Sequence, residues 1–329
     1  MKHKLIFLLA VLLSPPAVAV DLTVYSSRNE HLIKPVFDAY TESTGITIRF
    51  ITDKEGPLLA RLQQEAERTP ADLLITVDAG NLWHASRLGL LQTVHSAALE
   101  TSVPAKYRDP EGNWFGLSVR ARTLFYNPEL VTEANLKGYA DLAAPHWRGQ
   151  LCLRTSKKVY NQSLVAMLIA QHGEPQTQAI VEGWVDNLAA PPFPNDTQML
   201  EAIAAGQCSV GIANTYYYGR LLKDRPDISL KPFWPDQSES GVHVNVAGAG
   251  VVRYAPHPEA ARNLLEWMAS AAAQNLFADI NMEYPVNPAI QPAPIVAAWG
   301  QFNSSPFNLA RAGELQRSAV MLMNRAGYR

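Results

Sequence analysis

Between Asp21 and Leu88 the chain switches hydrophobic period repeatedly, in one order. Leu22–Ser26 is a short apolar run bounded by polar residues, which predicts a strand. His31–Ser43 follows with Leu32, Val36, Phe37 and Tyr40 near helical spacing, and Gly45 is placed to cap its end. Ile46–Ile51 alternates at period two, Leu58–Glu67 reads as a helix stopped by Pro70, and Leu73–Val77 reads as a buried strand leading into a helix through Leu88. Strand and helix alternating in this way call for a parallel sheet with crossover helices. Such sheets take ligands at the carboxyl ends of their strands. The loops after Ser26 and Val77 are therefore candidate ligand loops.

A second unit begins near Leu117. Strands are expected at Leu124–Tyr126, Leu151–Leu153 and Ser209–Ala213, and helices at Asn161–His172, Thr177–Asn187 and Met199–Ala205. Val242–Val252 has the composition of a strand returning between units, Pro256–Ala273 is patterned as one helix, and the tail after Trp299 as a last one. At 329 residues, two domains are expected. We place one lobe at residues 20–117 and 243–293 and the other at 118–242 and 294–329, an α/β pair hinged around a central cleft.

Charge and the N-terminus narrow the function classes. Net charge is −2, from 28 basic and 30 acidic residues, so no basic field is available for nucleic acid. Lys2 and Lys4, the apolar run Leu5–Leu13 and the small-residue site Ala17-Val18-Ala19 predict a signal peptide over residues 1–19, cleaved after Ala19. The run is too short to span a bilayer, and no Cys stands at the cleavage site to take a lipid. A soluble, exported, periplasmic protein is expected. The two cysteines, Cys152 and Cys208, are expected to pair in an oxidising compartment, with two buried thiols as the alternative.

The residues that could carry chemistry are mostly tyrosines. Asn214-Thr215-Tyr216-Tyr217-Tyr218 directly follows a predicted strand, which puts phenols on a loop facing the cleft. This could be a packing and stacking surface. Tyr160, in Val159-Tyr160-Asn161-Gln162-Ser163, starts a predicted helix, where the backbone dipole favours an anion. A free phenol ionises near pH 10, so only a strong cation would hold several as phenolates at neutral pH. Ferric iron, hard and trivalent, prefers such anionic oxygen. Zinc, calcium, phosphate-loop and nucleophile motifs find no matching pattern. Arg120 and Arg122, at alternate positions of an extended segment, offer donor forks for a small oxyanion, or else surface salt bridges.

Several segments together, VYSSRNEHLIKPVFDAYTESTG, PADLLITVDAGNLWHASRLGLLQ, WFGLSVRARTLFYNPELV, VYNQSLVA, GIANTYYYGRL and EYPVNP, closely resemble the periplasmic ferric-ion-binding proteins of ABC-type iron(III) importers. The resemblance spans nearly all of the chain after the predicted leader. It implies the two-lobed, type II periplasmic-binding-protein fold, Fe(3+) as cargo, delivery to an inner-membrane permease, a monomer, and no enzymatic activity. Carried over by position, Tyr160, Tyr216 and Tyr217 would be the ferric ligands. Tyr218 in this family is usually not one. Arg120 would hold a synergistic anion, carbonate in some members. The chain departs from the family at the first-lobe ligand, where Asn29, Glu30 and His31 stand in place of the usual His-Tyr. Glu30 could supply a carboxylate there; His31, Asn29, Tyr218 and Asp78 are neighbours or alternative ligands. The competing readings are the same fold binding a phosphonate, polyamine or thiamine-like solute, and, more remotely, a secreted metal-dependent enzyme.

Overall fold

A computed structural model describes residues 21–329. The leader expected over residues 1–19 lies outside the described residues. The first unit runs β1 (Leu22–Ser26), α1 (Glu30–Thr44), β2 (Ile48–Thr52), α2 (Glu55–Glu65), β3 (Leu73–Thr76), α3 (Ala79–Arg87) and α4 (Ala97–Ser102). Next come β4 (Phe115–Tyr126), β5 (Leu151–Cys152), α5 (Val159–Asp186), α6 (Asp196–Ala204), β6 (Val210–Asn214), α7 (Thr215–Asp224) and β7 (Lys231–Phe233). The chain finishes with β8 (Val244–Val251), α8 (Pro258–Met268), α9 (Ala271–Asn281), β9 (Tyr284–Pro285), α10 (Pro294–Ala297) and α11 (Ala310–Arg325).

The early alternation folds as its periodicity requires. β1 pairs in parallel with β2 and with β3, and α1 turns its buried stripe of Leu32, Ile33, Val36, Phe37 and Tyr40 into the core. Gly45 ends α1 at φ 74°, the left-handed conformation that costs glycine no Cβ clash, and its N–H donates to Thr41 O.

The strand order is β2-β1-β3-β8-β4-β6-β5, with β7 and β9 also on β4. β4 is the seam. Its first half, Phe115 to Ala121, pairs antiparallel with β8; its second half, Arg122 to Tyr126, pairs with β6. The buried apolar side chains divide at the same place. One core takes in Leu22–Ala121, Val242–Val286, Leu309 and Ala310; another takes in Leu124–Ile212 and Ala312–Tyr328. Cys152 and Cys208 form a disulfide that ties β5 to the approach of β6.

Two elements differ from the sequence reading, and one of its two alternatives for Arg120 and Arg122 falls away. The tyrosine run is the first turn of α7, not a loop: β6 ends at Asn214 and the chain turns straight into the helix. Pro256–Ala273 is not one helix, because α8 ends at Met268 and α9 restarts beyond Ser270. Arg120 and Arg122 are not surface residues; each is 2% exposed, buried along the seam strand. The predicted Asn161–His172 and Thr177–Asn187 helices are the two halves of α5, bent at Gly173 (φ 78°).

Candidate functional site

A cavity of about 450 Å³ opens where the two halves of β4 meet the helix starts. From the first unit it is lined by Arg28, Asn29 and Glu30 at the β1–α1 turn and by Lys54 and Glu55 at the start of α2. Arg120 of β4 and Glu283 before β9 form its floor, and Arg154, Lys158, Tyr160, Tyr216, Tyr217 and Arg220 come from the second unit. Helices α1, α2, α5 and α7 all begin here, and none has a side-chain cap hydrogen bond. An uncapped helix start carries partial positive charge and unpaired N–H donors. Together with the Arg and Lys side chains, this makes the cavity electropositive.

Three of the predicted phenols converge in it. Tyr160 sits in the first turn of α5, Tyr216 and Tyr217 in the first turn of α7, with the last two rings 4.3 Å apart between centroids. The Tyr160 ring has Lys158 4.9 Å from its centroid, and the Arg120 and Arg154 guanidiniums each at 5.6 Å. Burial pushes the Tyr160 phenol up to about 12, repulsion from Tyr217 adds to this, and Arg120 opposes it. Burial raises Tyr216 well above the ordinary phenol value as well, followed by repulsion from Tyr160 and Tyr217. Without a cation among them these groups keep their protons. A trivalent ion at their centre would reverse each repulsive contribution.

Arg120 has spare donors. Its Nη2 donates to Val246 O at 3.2 Å, while Nε and Nη1 are buried with no partner among the described residues. A buried unpaired guanidinium edge is costly, and a small anion in the cavity would satisfy it. Burial works against the Arg120 charge, yet Glu283, Tyr160, Tyr216 and Asp78 outweigh it and hold the group firmly protonated.

The remaining predicted residues separate. Asn29 and Glu30 line the cavity and are exposed; His31 is exposed on the next position of α1 and does not line it. Tyr218 points away: its ring packs on Phe125 and Trp299, and its hydroxyl donates to Leu230 O at 2.9 Å. Asp78 is fully buried outside the cavity as the cap of α3, accepting from Gly80 N, Ser163 Oγ and Asn245 Nδ2. Burial pushes its carboxyl up to about 6, against the pull of Arg120 and those hydrogen bonds.

Other site residues gave no sequence signal as such. Arg28 pairs with Glu283 at 2.8 Å, both buried, and Ser118 Oγ also donates to that carboxylate. The EYPVNP segment was recognisable, but a charged residue before an aromatic and a proline does not announce an ion pair with Arg28, 255 positions away. Arg154 and Asp196, joined at 2.8 Å, lie 42 positions apart with nothing local to link them.

Comparison with known proteins supplies the context. A family model described as "Bacterial extracellular solute-binding protein" matches residues 68–298. Iron uptake protein A2 of a Synechocystis strain is 43% identical over 317 residues, covering 93% of this chain and 90% of that protein. Among solved structures, a Trichodesmium protein in complex with iron and citrate ligands superposes with TM-score 0.90 at 38% identity, covering 94% of this chain and 100% of that one. Ferric iron-binding protein A of Mannheimia haemolytica, in an open conformation, superposes with TM-score 0.87 at 34% identity over 94% of this chain and 99% of the other.

Proposed function

Because the chain belongs to the periplasmic ferric-ion-binding family of bacterial extracellular solute-binding proteins, with their two-lobed type II fold, we propose that its cavity carries ferric ion on Tyr160, Tyr216 and Tyr217. The observation that carries this reading is the convergence of three phenols, Tyr160 and Tyr216 buried and Tyr217 half-buried, from two uncapped helix starts in one electropositive cavity. Three phenolates neutralise a trivalent ion and discriminate against softer and divalent ones.

Charge balance supports an accompanying anion. Ferric ion and three phenolates sum to zero, and while Arg28 and Arg154 are paired with Glu283 and Asp196, Arg120 has no ion-pair partner among the described residues. Arg120, with two unpartnered donors, is the seat we assign to a synergistic anion such as carbonate. We assign Glu30, which lines the cavity from the first unit, to add a carboxylate. We divide the lobes at residues 20–117 with 243–293 and 118–242 with 294–329, a division supported by the split pairing of β4 and by the two largest cores, except that Val119, Ala121, Val242, Leu309 and Ala310 pack with the first core. The loaded monomer, exported to the periplasm through a cleaved leader, delivers its ion to the permease of an ABC importer. It binds and releases, and catalyses no reaction.

The test is spectroscopic. Loaded with ferric ion, the protein is expected to show a visible phenolate-to-iron charge-transfer band, and the paired Tyr216→Phe and Tyr217→Phe substitutions should shift it and remove most of its intensity, leaving at most the contribution of Tyr160. A band unchanged in position and intensity in the double variant removes both residues from the metal. A colourless protein that instead gives binding heat with an organophosphonate or polyamine establishes the organic-solute reading. Metal binding displaces phenol protons, so ferric affinity should fall as pH drops.

A further inference from the structure

Beneath the three phenols lies one buried carboxylate. Asp196, fully buried, accepts from Arg122 Nη1 and Nη2 at 3.3 Å each and from Arg154 Nη1 at 2.8 Å. Each guanidinium then reaches a phenol-bearing segment. Arg122 Nε donates to Asn161 Oδ1 at 2.9 Å, the residue after Tyr160. Arg122 Nη1 also donates to Asn214 Oδ1 at 3.1 Å, and Asn214 Nδ2 donates to Tyr216 Oη at 3.3 Å. Arg154 Nη1 donates to Tyr217 Oη at 3.4 Å. Asn161 closes the frame by donating to the Arg154 and Thr155 carbonyls at 3.0 Å.

The ordinary local role for these residues is absent. Asp196 does not cap α6, because Asn195 already does so through Gln198 N. Asn214 precedes α7 yet makes no cap bond. Two residue types that usually satisfy helix starts are turned toward the same arginine instead. Two guanidiniums on one carboxylate also leave a buried excess positive charge, which is a poor way to stabilise a core.

We infer that Asp196 is a positioning residue for the cargo site. By holding Arg122 and Arg154 at a fixed separation, it sets the spacing of the Tyr160, Tyr216 and Tyr217 hydroxyls before an ion arrives. The inference rests on the ferric reading above and deepens it: the second-lobe half of the site is built in advance, and only the opposite wall has to move.

The experiment compares ferric-loaded wild type with Asp196→Asn, Asn214→Ala and a control, Ile180→Ala, which truncates a buried side chain on the far half of α5. The readouts are the charge-transfer maximum and the rate of iron loss to a competing chelator, beside each melting temperature. Asp196→Asn should displace the band and speed release by about tenfold or more. Asn214→Ala, which leaves the buried charges paired, should displace the band and speed release several-fold. Ile180→Ala should lower the melting temperature with the band unmoved. Should Asp196→Asn fail to fold, Asn214→Ala decides alone. Wild-type band and release in Asn214→Ala overturn the inference, as does release that merely tracks melting temperature across all variants. A wild type that takes no colour removes the ferric reading itself, and this inference with it.

Discussion

At the scale of single residues, two buried titratable groups beside the seam pull acid stability in opposite directions. His243 is 1% exposed, and burial first, then the neighbouring Arg122 and Arg120 charges, lower its value to about 3. The unfolded chain takes up this proton near pH 6.5 while the folded chain refuses it. The stability it contributes is therefore complete above pH 6.5 and lost as pH falls toward 3, by ~2 kcal/mol at pH 5. Asp78 is raised to about 6, so its buried charge penalises the fold above that value, and the penalty fades as pH falls toward 3.8. Urea midpoints at pH 7 and pH 5 should separate the two. His243→Gln is expected to lose less stability on acidification than wild type, and Asp78→Asn to lose more. Parallel shifts in all three proteins would rule out both groups as the source. Neither behaviour was legible beforehand. No local pattern marks His243, and Asp78 reads from sequence only as a possible ligand, because what decides their titration is first burial in the folded core and then, for His243, the Arg122 and Arg120 charges that only the fold brings near.

At the scale of elements, legibility followed locality. α1, β3 and the Gly45 cap are determined by residues within a turn or two of each other, and they were found. The start of α7 was missed because consecutive tyrosines carry no strong helix preference. What commits Thr215–Asp224 to a helix is the end of β6 and the packing of Tyr218 and Leu221 beneath it. The break between α8 and α9 hides in a run of alanines that would suit one helix equally well. Arg122 is ambiguous in the sequence because its acidic counterpart, Asp196, is 74 positions away along the chain, and Arg120 because its one side-chain partner is the Val246 carbonyl, 126 positions away. A helix whose role emerges only from packing is α11, which lies against both α5 and α3. It approaches α3 through Gly313, where an added Cβ would stand 2.5 Å from the Trp83 ring. Gly313→Ala should therefore cost ~1–3 kcal/mol through overpacking, seen as a lower melting temperature and altered tryptophan emission. An unchanged melting temperature would mean that α11 docks less tightly than its contacts indicate.

At the scale of the whole molecule, the decisive asymmetry is that all three phenols stand on one side of the cavity. The other side offers Arg28, Asn29, Glu30 and Lys54 from the starts of α1 and α2. An ion seated only on the phenols would give the lobes no reason to close, because closure is favoured only to the extent that the cargo binds the closed form better. Something on the first-lobe wall must therefore gain a contact when the cleft shuts. Glu30 is the one carboxylate at the opening turn of α1, and its exposed side chain lines the cavity from that wall. Arg28 cannot serve in that role, since it is already committed to Glu283. If Glu30 supplies that contact, ferric loading should contract the wild-type protein in small-angle scattering at unchanged mass. Glu30→Gln should keep the charge-transfer band, since the phenols remain, while losing most of the contraction and releasing iron faster. Equal contraction in wild type and Glu30→Gln would transfer the closing contact elsewhere, to an anion held between Arg120 and the uncapped starts of α1 and α2. In that case removing the anion by exhaustive exchange into an anion-poor buffer, rather than any change at Glu30, is what should leave a coloured but open protein.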